Sequence, residues 1–110
     1  MYYSKRDIVD ALKYSGIKKN DTVFFTTSMG MLGIPIVKGK ITMSKTCKTL
    51  FEAIKETVGS YGTILIPTYS YSFGKKFDKK LPTFNIKKDI SKIGPFGNFF
   101  IKQKKVIRSE

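Results

Sequence analysis

Gly62-Thr63-Ile64-Leu65-Ile66-Pro67-Thr68 decides how this chain is expected to fold. An uncharged run rich in β-branched residues is the composition of a strand buried on both faces. Pro67 cannot donate to a strand ladder and marks its end, so the strand is predicted over 62–68. Thr22-Val23-Phe24-Phe25-Thr26-Thr27 has the same character and predicts a strand over 22–28. Between them Cys47, Leu50, Phe51, Ile54 and Val58 recur at spacings of three and four. That period predicts an amphipathic helix over 44–58, capped by Ser44 or Thr42 and ended by Gly59. Thr49, Glu52, Lys55 and Glu56 are expected mostly to point away from its apolar stripe. Strand, helix and strand make a β-α-β unit with parallel strands and a right-handed crossover. The expected class is therefore α/β: a three-layer α/β/α arrangement on a β-α-β parallel core, incomplete at the C-terminus.

Outward from that core, Ser4-Lys5-Arg6-Asp7 reads as a capping box for a helix over 5–15. Ile8, Leu12 and Ser15 share one of its faces, flanked by Val9 and Ala11, and Gly16 stops it. Lys18 to Asp21 is a polar turn. Ser28 to Lys40 holds Gly30, Gly33, Pro35 and Gly39 and reads as a loop. Tyr69 to Ile93 has no sustained period, and its length suggests function or missing neighbours. Gly94-Pro95 opens a short helix carrying Phe96, Phe99 and Phe100, with Pro95 at the first helical position. Val106-Ile107-Arg108-Ser109 is expected to begin another strand.

The chain has 110 residues, a single domain's worth, with 41% hydrophobic residues and a net charge of +13. That composition suits a folded chain and excludes a disordered one. No run of roughly 18 apolar residues is present, and the N-terminus lacks a signal peptide's apolar stretch. A cytoplasmic protein with no membrane association is the expectation. One cysteine excludes an internal disulfide framework and a cysteine-based zinc site. Cys47 itself reads as a buried helix residue rather than a reactive thiol. With no histidine in the sequence, His-ligated metals and imidazole bases are excluded. No metal site and no catalytic residue are assigned.

The charge is unevenly placed. Residues 1–30 carry five basic and three acidic groups, residues 31–60 five and two, and residues 61–110 eleven and three. Lys75, Lys76, Lys79, Lys80, Lys87, Lys88 and Lys92 face only Asp78 and Asp89. Arginine occurs only at Arg6 and Arg108. Base-edge readout and bidentate phosphate clamps favour arginine, so a lysine patch speaks for a solvated loop first and a phosphate-bearing ligand second. Nucleic acid is not the expected partner on this reading.

In parallel sheets ligands sit beyond the carboxyl ends of the strands. Thr27 to Gly33 and Pro67 to Phe73 occupy that edge, and both are rich in hydroxyl groups or glycine. Free backbone N–H groups and hydroxyls suit an anion or an amide-containing cofactor arm. Neither loop has the glycine spacing of a phosphate loop or dinucleotide fingerprint.

The order of these features resembles a known family. It runs from the Ser-x-x-Asp-Ile-Val helix start through Gly16-Ile17 and Asp21-Thr22-Val23 to Ser28, Gly33 and Val37-x-Gly39. The Gly62-to-Tyr71 block, Phe77-Asp78, a Gly94 helix start and Val106-Ile107-Arg108-Ser109 follow. Together they resemble the N-terminal portion of the aminoglycoside 3-N-acetyltransferase (antibiotic acetyltransferase) family, over essentially all 110 residues. The resemblance implies transfer of acetyl from acetyl-CoA, as co-substrate, to an amino group of an aminoglycoside or amino-sugar. It also implies that Ser28, Met29, Gly33, Val37 and Gly39 approach the CoA arm and pyrophosphate. Pro67, Thr68 and Tyr69 then line the same cleft, although strand termination explains Pro67 and Thr68 equally well.

Two positions depart from the family pattern: Lys40 replaces the second glycine of Val-x-Gly-Gly, and Thr26 replaces a common histidine. Family members run to more than twice this length, and their catalytic His lies just beyond the Arg-Ser pair. The expectation is thus a truncated, inactive portion of the enzyme with an incomplete sheet. Three alternatives stay open: an N-acetyltransferase for surface-polysaccharide amino-sugars, a non-enzymatic basic nucleic-acid-binding domain, and an interaction domain with an exposed sheet edge.

Overall fold

The computed structural model describes residues 1–69, 85–87 and 89–109. Its elements are β1 (Tyr2–Tyr3), α1 (Lys5–Tyr14), β2 (Thr22–Phe24), β3 (Ile34–Pro35), α2 (Met43–Val58), β4 (Thr63–Leu65) and α3 (Pro95–Ile101), with a 3-10 turn at Met29–Met31. The chain is a mixed α/β protein with two parallel strand pairs. The pair β2–β4 joins Thr22 to Thr63, Val23 to Ile64 and Phe24 to Leu65. The predicted β-α-β order is present, with α2 as the crossover.

Helix α1 begins as its sequence predicts. The Ser4 Oγ accepts from the Asp7 N–H at 3.2 Å, and the Ser4 N–H donates to Asp7 Oδ2 at 2.7 Å. The Ser4 N–H bond first, and the Ser4 hydroxyl donating to the same Oδ2 at 2.9 Å second, hold the Asp7 carboxyl below its ordinary value. Val9, named as a flanking residue, is the buried one, while Ile8 and Leu12 pack at the edge of the core and Ser15 is exposed. At the start of α2, Thr42 rather than Ser44 is the cap, accepting from the Lys45 N–H. The other end of α2 is closed by the turn before β2. Lys19 Nζ donates to the Glu56 carbonyl, and the Asn20 N–H to the Val58 carbonyl at 2.8 Å.

Burial on α2 is wider than its apolar stripe. Cys47, Leu50, Ala53, Ile54 and Val58 are buried, but so are Thr46, Thr49 and Thr57. Thr49 was expected on the outer face. Its hydroxyl donates to the Lys45 carbonyl four residues back, as Thr46 does to Thr42 and Thr57 to Ala53. A hydroxyl satisfied within its own helix loses most of the cost of leaving water. Met29, Cys47, Leu50, Ile54 and Phe96 form the core cluster, with Phe25, Ile64 and Ile66 packed against it. Edge-on contacts of Phe51 with Phe99 and Phe100, centroids 6.0 and 5.6 Å apart, dock α3 onto α2.

Four expectations are corrected. The strands are three residues long rather than seven, and neither is covered on both faces: Phe24 is 66% exposed and Leu65 49%. The alternation arises because Val23, Phe25, Ile64 and Ile66 turn towards the core while their neighbours turn away. Ser28 to Lys40 is not wholly loop, since Ile34–Pro35 pairs in parallel with Tyr2–Tyr3. There the Ile34 and Ile36 N–H groups donate to the Met1 and Tyr3 carbonyls. Pro35, having no N–H, sits at the position between them that needs none. Finally, Val106 to Ser109 forms no strand. The 70–84 part of the aperiodic stretch, with Lys75, Lys76, Phe77, Asp78, Lys79 and Lys80, lies outside the described residues, as does Lys88.

Two measurements test this packing. A Cβ at Gly62 would lie 2.4 Å from the Val58 Cβ, whereas at Gly30 nothing lies within 4 Å. Gly62→Ala is expected to cost about 1–3 kcal/mol in urea unfolding, and Gly30→Ala no more than about 0.5. Because the folded Asp7 carboxyl is depressed, its contribution is present above the ordinary carboxylate value and is lost as pH falls through the folded one. Thermal unfolding from about pH 5 to about pH 2 should show a smaller fall in Tm for Asp7→Asn than for the parent.

Candidate functional site

Because β2 and β4 are parallel and adjacent, the segments after both strands leave at one edge of the pair. Pairing continues one step further, the Phe25 N–H donating to the Leu65 carbonyl at 2.9 Å. Thr26, Thr27 and Pro67 then line a small cavity of about 40 Å³ closed by Phe96 and Gly97. Helix α3 comes close there: a Cβ at Gly97 would lie 3.3 Å from the Pro67 carbonyl oxygen. Its approach is held by a reciprocal pair, the Ser91 N–H donating to Asn98 Oδ1 at 2.7 Å and Asn98 Nδ2 to the Ser91 carbonyl at 3.0 Å.

On the outer side Pro67, Thr68 and Tyr69 line a second cavity of about 950 Å³, walled by Phe24, Leu65 and Ile107 among others. This volume reaches the upper end of small-molecule sites. Arg108 fixes its shape. The guanidinium donates to the carbonyls of Thr68, Ile86 and Asp89, so one side chain ties the segment after α3 to the end of β4 and to the turn at Asn85, Ile86, Lys87 and Asp89. Five N–H groups in a rigid plane can serve several carbonyls at once, which an ammonium cannot do with the same geometry. The Asp89 carboxylate accepts the Asn85 N–H at 2.7 Å, and the Lys92 N–H donates to the Tyr69 carbonyl at 3.1 Å.

The other sequence-derived residues lie apart from these cavities. Ser28 is exposed and precedes the 3-10 turn, its carbonyl accepting the Met31 N–H. The Met29 side chain is in the core, 4% exposed, against the α2 stripe. Gly33 has φ +95° and faces the Met1 carbonyl oxygen, which a Cβ there would meet at 2.7 Å. Its glycine thus serves the β1–β3 pairing. Val37 is half-buried, and Gly39, with φ +74°, lies where Lys45 Nζ would be 3.3 Å from a Cβ. Lys45 Nζ donates to the Lys38 carbonyl at 2.8 Å, folding the Lys38–Lys40 turn onto the first turn of α2. None of Ser28, Met29, Gly33, Val37 and Gly39 lines either cavity.

Burial raises the Cys47 thiol, and it raises the Tyr3 hydroxyl, with Cys47 a smaller second cause. A buried thiol whose pKa is raised is a packing group, not a nucleophile. Among the described residues no cluster of three potential metal ligands occurs, and no helix is long and apolar enough to cross a membrane. No protein-family model, curated protein or solved structure matches the chain.

Arg108 was singled out in the sequence only as part of a terminal pattern. One signal was available: it is one of two arginines among 21 basic residues. Replacing it with lysine tests the clamp. Arg108→Lys should lower stability by about 1–3 kcal/mol and speed hydrogen exchange at the Lys92 amide. Unchanged protection of that amide would show the clamp to be dispensable.

Proposed function

We propose that the chain is the acetyl-CoA-facing portion of an aminoglycoside N3-acetyltransferase-like protein, of three-layer α/β/α design and cytoplasmic. One observation carries the reading. The parallel β2–β4 pair sends Thr26, Thr27 and Ser28 and Pro67, Thr68 and Tyr69 out at the same carboxyl edge. Such an edge is where α/β folds take ligands.

The residues present suit the cofactor chemically. Gly39, with its left-handed backbone, and exposed Lys38 and Lys40 precede the N-terminus of α2. Positive side chains beside the positive end of a helix favour a pyrophosphate. Lys40, in place of the family's second glycine, adds charge at that turn. Ser28, the threonine hydroxyls and the Pro67–Tyr69 backbone offer partners for the amides of a pantetheine arm. Acetyl-CoA supplies the activated thioester, and this chain's residues bind and orient it.

A general base must take the proton of the acceptor ammonium. The 110 residues contain no histidine, and among the described residues no carboxylate or lysine lines either cavity. The proposal therefore assigns this chain binding without catalysis. The acceptor class is an amine on an aminoglycoside or amino-sugar.

Calorimetric titration with acetyl-CoA checks the binding half. A Kd in the range of about 1 μM to 1 mM is expected. The double variant Lys38→Glu/Lys40→Glu should weaken it about tenfold, ~1.4 kcal/mol. Thiol release with an aminoglycoside present should stay at background. No binding at millimolar acetyl-CoA sinks the reading.

A further inference from the structure

The bare face of the β2–β4 pair differs in chemistry from the edge just described. Phe24 and Leu65 are about half or more exposed, and Ile107 is 94% exposed. All three line the concave space of about 950 Å³ held open between β4 and the segment after α3. Among the described residues the polar lining is Thr68, Tyr69, Arg108 and Ser109. The site thus has a long apolar wall and a short polar stretch within an open concave surface.

Among the described residues, lysines dominate the segments that flank the cavity. Lys102, Lys104 and Lys105 are exposed on the segment that closes the cavity, and exposed Lys92 is bonded through its N–H to Tyr69. Among the described residues no carboxylate lines the cavity, and that of Asp89 accepts a backbone N–H within its own turn. Arg108 is held by the carbonyls of Thr68, Ile86 and Asp89, so it contributes field and shape, and the exposed lysines add to the positive field.

We propose that this cavity binds a monomeric anionic amphiphile, an aliphatic chain ending in a carboxylate. The chain lies along Phe24, Leu65 and Ile107, and the carboxylate sits at the Thr68–Arg108 end within the lysine field. The inference stands apart from the acetyl-CoA reading. The cavity shares Pro67, Thr68 and Tyr69 with that reading but not Ser28, Met29, Gly33, Val37 or Gly39, and binding of an aliphatic carboxylate here needs no CoA.

The test is calorimetry on the full chain with hexanoate, octanoate and decanoate, each kept below its micelle concentration. Burial of apolar area predicts tighter binding with length, by up to about fourfold per methylene. Decanoate should bind at least about tenfold more tightly than decyltrimethylammonium, which has the same chain and the opposite charge. Ile107→Glu, at an exposed position outside any regular element, should weaken decanoate at least about tenfold with an unchanged far-ultraviolet circular dichroism spectrum. Leu65→Glu provides a second probe on the opposite wall. No chain-length dependence, equal binding of the cationic amphiphile, or decanoate binding unmoved by both substitutions overturns the proposal.

Discussion

Helix α2 must be buried over more of its circumference than a single apolar stripe covers. Its fully buried positions include Leu50, Ile54 and Val58 but also Thr57. Helix α1, helix α3, β3 and β4 all pack against it. The helix also carries the chain from one strand of the β2–β4 pair to the other, so the pair depends on the crossover for its existence. The end of α2 is secured by the same turn that launches β2, through Lys19 and Asn20. Asn20 adopts φ +71° there, a conformation asparagine tolerates better than most residues. Helix, crossover and strand start are thereby fixed together.

The helices were legible in the sequence because each carries a local signal with a mechanism. Ser4 and Asp7 cap α1 as their spacing suggests, and the three-four spacing of Cys47 to Val58 became the core face of α2. Strand existence was legible but strand length was not. An uninterrupted apolar run such as Thr63 to Pro67 looks alike whether one face or two are covered. Which faces are covered depends on partners distant in sequence. The β1–β3 pair escaped notice for a related reason: two residues per strand leave no period, and Pro35 argues against a strand unless its neighbours carry the bonds.

The candidate site was legible as an edge, not as a set of side chains. Thr26 to Ser28 and Pro67 to Tyr69 were placed together by topology, which spacing can predict. That Met29 belongs to the core and Gly33 to strand pairing depends on contacts with Phe96, Leu50 and Met1, which no local pattern encodes. Arg108 illustrates the same limit. Its partners Thr68, Ile86 and Asp89 come from two separate stretches of chain, and carbonyl oxygens leave no mark in a sequence.

Each strand of the β2–β4 pair uses only one of its two hydrogen-bonding edges among the described residues. An open edge is a template for another copy of itself. The net charge of +13 opposes that encounter, since copies must approach to within a few ångströms to pair. At about 0.01 M salt the repulsion reaches ~30 Å, and at about 1 M only ~3 Å. The ionic strength of the buffer therefore governs colloidal behaviour. Dilute salt keeps the chains dispersed, and concentrated salt brings unsatisfied backbone groups on neighbouring molecules within reach of each other.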